Sequence, residues 1–82
     1  MTGITRPREV VREVVREVVG RLRADDGPET FTQAVALVGP ERVTGLLRAR
    51  GLEYDVLARS APVVSEAFDD AMRGRGGRRA PR

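Results

Sequence analysis

The chain has 82 residues, 40% of them hydrophobic and 33% charged, and it contains neither cysteine nor histidine. This composition excludes disulfides and leaves no imidazole or thiolate to hold a transition metal or to serve as nucleophile or general base near neutral pH. A domain this small buries only about 60% of the surface its unfolded chain exposes, so its stability rests on a modest helical core or on association with a partner.

All 15 positive charges are arginine. Ser60 and Ser65 therefore have neither histidine nor lysine to activate them, and any catalysis would have to run on carboxylates and guanidinium groups alone. The chain is expected to be non-enzymatic and to need no cofactor. Its formal charge of +3 conceals a division: residues 1–72 hold 10 Arg against 12 acids, a net −2, whereas Arg73, Arg75, Arg78, Arg79 and Arg82 lie in a final segment without acids. No stretch approaches the about 18 apolar residues of a membrane span, and no apolar leader follows Met1, so the expected location is the cytoplasm, away from membranes.

The first predicted element runs from about Pro7 to Ala24 and contains three consecutive copies of Arg-Glu-Val-Val, from Arg8 to Val19. Paired valines and paired charges cannot give a strand one clean apolar face, but a helix sorts them. At about 100° per residue, Val10, Val14, Val18 and Leu22 form one row and Val11, Val15 and Val19 the next, together covering about half the circumference. Arg8, Arg12 and Arg16 line one edge of this band, and Glu9, Glu13 and Glu17 lie beyond the other. The band serves as the core stripe of a small bundle, as a contact with a partner, or as both. A parallel pair of such helices would set the Arg edge of one against the Glu edge of the other, whereas an antiparallel pair would oppose like edges. Val11, Val15 and Val19, with Arg12, Glu13, Arg16 and Glu17, are the candidate interaction residues.

Asp25, Asp26 and Gly27 form the next turn, with Asp26 as candidate cap of a second helix opening on Pro28 and Glu29. Phe31, Val35 and Val38 share one face of it. Gly39-Pro40 stops this helix and starts a third, striped by Val43, Leu46, Leu47 and Arg50 and closed by Gly51. Leu52 to Ser60 allows a helical turn or a brief fourth helix. The last helix opens at Pro62, carries Val64, Ala67, Phe68, Ala71 and Met72 on one face, and is expected to end at Gly74.

Thr32 to Arg50 superficially resembles a helix-turn-helix, but Gly45 falls where a buried aliphatic is needed and Pro40 leaves no turn. Acyl carrier proteins are helical chains of similar length. They need an Asp-Ser-Leu attachment site, and Ser60 and Ser65 sit instead in RSAP and VSEA. Glu66, Asp69 and Asp70 form an acidic group better suited to a solvated helix face than to a cation site. The RGRGG stretch of the tail resembles the Arg-Gly segments of RNA-binding proteins over about five residues, making Arg73, Arg75, Arg78, Arg79 and Arg82 candidate nucleic-acid contacts.

The expectation is thus an all-α domain over residues 5–73, a small bundle of four or five short helices with a long amphipathic first helix. A disordered basic tail is expected over 74–82. The expected role is a helical interaction or assembly module, self-associating through the first helix as a homo-oligomer or binding a helical protein partner. The alternative is a small nucleic-acid-binding or regulatory protein that uses the tail.

Overall fold

The computed structural model describes residues 7–78. They form five helices and, among the described residues, no strand: α1 (Pro7–Gly20), α2 (Phe31–Val38), α3 (Pro40–Arg48), α4 (Val56–Arg59) and α5 (Ala61–Arg78). The all-α class and the long amphipathic first helix are as expected.

Valine is a mediocre helix former, costing roughly 0.5 kcal/mol relative to alanine because its branched Cβ loses rotamer freedom. Six of them hold α1 together because all six are buried, four with no exposed surface at all. Burial contributes roughly 1.5 to 3 kcal/mol per side chain, several times the local penalty. The band is wide because three helices cover it: α5 along most of its length, with α2 and α3 beside it. Leu47 and Val43 of α3, Ala34 and Val35 of α2, and Val64, Ala67 and Phe68 of α5 complete one continuous core. Phe31 opens α2 with its ring edge-on to Phe68, centroids 6.2 Å apart at 70°, joining α2 to α5.

The helices α1 and α5 run parallel. Arg12, near the start of α1, meets Glu66, near the start of α5, while Arg75 reaches the carbonyls of Arg23 and Asp26 just beyond the end of α1. Parallel neighbours need a long crossover, and α2, α3 and α4 make it.

Several boundaries differ from expectation. The first helix stops at Gly20, four residues before Ala24. There the Arg21 N–H is shared between the Glu17 and Val18 carbonyls and the Leu22 N–H turns to Val19, tightening the last turn. Asp26 then folds the chain back, its carboxylate accepting from the Arg23 N–H at 2.8 Å while its own N–H donates to the Arg23 carbonyl. Asp26 therefore caps no helix. The cap of α2 is Thr30, whose Oγ1 accepts from the Gln33 N–H at 3.2 Å, while Gln33 Oε1 accepts from the Glu29 N–H at 2.7 Å. This is a capping box displaced by one residue.

Gly39 and Gly51 act as expected for a physical reason: they are the two described residues with positive φ, 116° and 78°. At Gly51 the Leu52 N–H bonds the Leu47 carbonyl and the Gly51 N–H bonds the Arg48 carbonyl, the paired bonds of a Schellman ending. Gly74 stops nothing, and α5 continues to Arg78. A helical glycine costs only about 1 kcal/mol, and the anchoring of Arg75 on both sides of the Arg23–Asp26 turn supports the extra turn. The remainder of the basic tail, residues 79–82, lies outside the described residues.

Two glycine substitutions should move stability in opposite directions. Gly45 lies within α3, and a Cβ there would meet nothing within 4 Å, so Gly45→Ala should stabilise by roughly 0.5 to 1 kcal/mol. Gly51→Ala should cost roughly 1 to 2 kcal/mol because its backbone is left-handed. Urea denaturation followed by circular dichroism measures both.

Candidate interaction site

Val11, Val15 and Val19 are expected at a contact with a partner, and the fold places them elsewhere. Their exposures are 0%, 0% and 3%, all within a single copy of the chain, so α1 offers a partner none of its valine band. The correction follows from width: a band covering half the circumference is consumed by three neighbours of the same chain, not shared between a core and a second molecule.

The charged edges are matched internally as well. Arg12 Nη2 lies 3.1 Å from Glu66 Oε1 of α5. On the opposite edge, Arg50 sits between Glu13 and Glu17, with Nε 3.6 Å from Glu13 Oε1 and Nη2 3.0 Å from Glu17 Oε1, and its Nη1 donates to the Leu46 carbonyl at 3.0 Å. Glu17 also accepts from Arg21 at 3.3 Å. Arg16 is exposed and makes no ion pair among the described residues. The parallel partner that the Arg and Glu rows call for is α5 on one side, while the turn after α3 serves the other.

Arg50 and Arg75 are the residues whose roles the sequence pattern did not make plain. Arg50 lies in the turn after α3 but continues the register of its apolar stripe, three residues after Leu47, and that misfit is the signal: an arginine on a core-facing register buries its stem and carries its head to an edge. Arg75 donates from Nη2 to the Arg23 carbonyl at 2.8 Å and from Nη1 to the Asp26 carbonyl and Met72 Sδ. Among the candidate nucleic-acid residues it is thus engaged in holding the α1–α2 turn against α5. Arg73 is exposed and pairs with Asp70 at 3.2 Å. Arg78 ends α5, and Arg79 and Arg82 lie outside the described residues.

Of the acidic group on α5, Glu66 and Asp70 are committed to Arg12 and Arg73. No cluster of three metal-ligating side chains occurs among the described residues. The resemblance to a helix-turn-helix also fails in space, since the single residue Gly39 separates α2 from α3, where such a motif has a turn of about three or four residues. No described helix is long and apolar enough to cross a membrane.

Helix α2 keeps its outer face on the surface. Its eight residues carry no charge, and its outward positions are Thr32, Gln33, Ala36 and Leu37, with Leu37 54% exposed. A cleft lies on each side. One, of about 400 Å³, runs between Leu37, Ala36 and the Asp25–Pro28 turn. The other, of about 360 Å³, has Phe31, Val35, Leu57 and Val64 in its walls and Tyr54, 40% exposed, beside them. Leu37 and Tyr54 are the exposed large hydrophobic residues among those described.

Comparison with protein-family models, with curated proteins and with solved structures finds no match to this chain.

Arg50→Gln should lower stability by roughly 1 kcal/mol, because two half-exposed ion pairs and one carbonyl hydrogen bond are lost together. The difference from the parent should shrink in about 1 M salt, where the Debye length falls to about 3 Å. Chemical denaturation at low and high salt checks both statements.

Proposed function

We propose that this protein is a non-enzymatic helical interaction module that pairs with a second copy of itself through α2. The observation that supports this reading is the uncharged outward face of α2 on a chain in which 33% of residues are charged. The centres of protein interfaces are depleted of charge, and in a twofold contact the residues that lie on the axis meet their own copies. A row of like charges lying on that axis would oppose its own copy. The α2 face would not, and Leu37 would be its apolar centre.

The patch is small. Eight helical residues span about 12 Å, so the contact falls at the low end of interface size, and weak, reversible pairing is expected. This moves the expected self-association from the first helix to the second and keeps its character as an assembly contact.

Sedimentation velocity over a concentration series reaching roughly 500 µM should show a monomer–dimer equilibrium that is little affected by salt, because the face carries no charge. Leu37→Arg should abolish the dimer and leave the thermal midpoint of the monomer nearly unchanged, since Leu37 is exposed in the single chain. Val15→Asp should instead unfold the protein, because that side chain is fully buried. A strictly monomeric chain over the whole range, at both low and high salt, would sink the proposal.

A further inference from the structure

The first turns of α1 and α5 lie side by side because the two helices are parallel, and the end of α4 joins them. Between them is a cleft of about 910 Å³, with Arg8, Glu9 and Arg12 on one wall and Arg59, Ser60, Pro62 and Val63 on the other. Three of these seven residues are arginine, drawn from segments that the chain brings together only on folding. The size lies within the range of small-molecule sites, about 300 to 1,000 Å³.

We infer that this cleft binds the phosphate group of a phosphorylated small molecule. Arg8 makes no ion pair among the described residues. Arg12 and Arg59 each use one nitrogen, Nη2, on an exposed carboxylate, Glu66 and Asp55. A guanidinium has five N–H donors in a planar fork, so each retains donors for a second anion. Exposed ion pairs of this kind are weak and exchange readily. The Ser60 hydroxyl adds a further donor, and the first turns of the two helices add the positive ends of their dipoles to the potential already set by the arginines. Phosphate, with three or more acceptor oxygens and up to two charges, suits several convergent donors better than a single carboxylate does.

Among the described residues of the lining Glu9 is the one acid, against three arginines contributed from both walls. Pro62 and Val63 provide an apolar flank for the non-phosphate part of the ligand. The site does not depend on pairing through α2: Arg8, Arg12 and Arg59 line neither of the two clefts beside that helix.

The probe is inorganic pyrophosphate, titrated into the full ¹⁵N-labelled chain at a fixed ionic strength of about 0.1 M, with amide shifts followed by NMR. Saturable shifts confined to the turns around Arg8, Arg12, Ser60 and Val63 are expected. The double variant Arg8→Gln/Arg59→Gln should weaken binding at least about tenfold, as expected for loss of two of three charged donors. Arg48→Gln/Arg73→Gln, which removes the same charge elsewhere, should change it less than about twofold. Malonate at matched ionic strength should bind at least about tenfold more weakly than pyrophosphate. Shifts that map to the C-terminal arginines, equal weakening in both double variants, equal binding of malonate, or no saturation would each overturn the inference. Should the first double variant fail to fold by circular dichroism, the shift map and the malonate comparison on the parent chain still decide it.

Discussion

Everything in this fold follows from burial of the valine band on α1. Six branched side chains make that helix locally unfavourable, and it persists because α5, α2 and α3 cover it on one continuous side. The exchange is strongly one-sided, since burial of each valine outweighs its loss of rotamer freedom several-fold. A stripe only one row wide could have been covered by one neighbour. A stripe two rows wide demands three, and that requirement decides where the short helices go.

Charge then fixes orientation. The valine band is bordered by arginine on one edge and approached by glutamate on the other, and each edge finds its complement within the chain: Glu66 from α5, and Arg50 from the turn that Gly51 closes. Arg75 ties the far ends of the two long helices together through backbone carbonyls. No described side chain that is polar or charged is buried, so these contacts act at the rim of the core, where they select one arrangement more than they add stability. Two features are not accounted for by these contacts: the uncharged face of α2, and the arginines gathered where the long helices begin, of which Arg8 makes no ion pair among the described residues and Arg12 and Arg59 keep donors to spare. The proposals of self-pairing and of phosphate binding rest on these two.

Much of the fold was legible because its signals are local. Gly39-Pro40 and Pro62 mark boundaries through fixed backbone preferences, and the spacing of Val64, Ala67, Phe68, Ala71 and Met72 marks the inner face of α5. The same local character explains the misses. Asp26 and Thr30 are both competent caps, each with a suitable residue three positions on, Glu29 and Gln33, and local spacing does not choose between them; in the fold Asp26 closes the turn on the Arg23 N–H and Thr30 caps α2. Gly74 was a reasonable stop until Arg75 found carbonyl partners on a turn some fifty residues earlier in the chain. The candidate site was less legible still, because an uncharged surface on a short helix leaves no periodic trace, and because arginines at positions 8, 12 and 59 acquire a common purpose only when two helix starts are brought together.

The amino-acid sequence by itself determined that the chain is all-helical, that its first helix carries apolar and charged rows in separate sectors, and that neither thiol nor imidazole chemistry is open to it. These properties depend on composition and on periods of three and four residues, which act within a few turns. Only the tertiary structure decided that the valine band faces this chain's own core and that α5 is its parallel partner. It also decided which of Arg50, Arg73 and Arg75 are engaged in holding the fold. A helix wheel shows which side chains share a face, but whether that face meets the same chain or another depends on contacts between residues far apart in sequence.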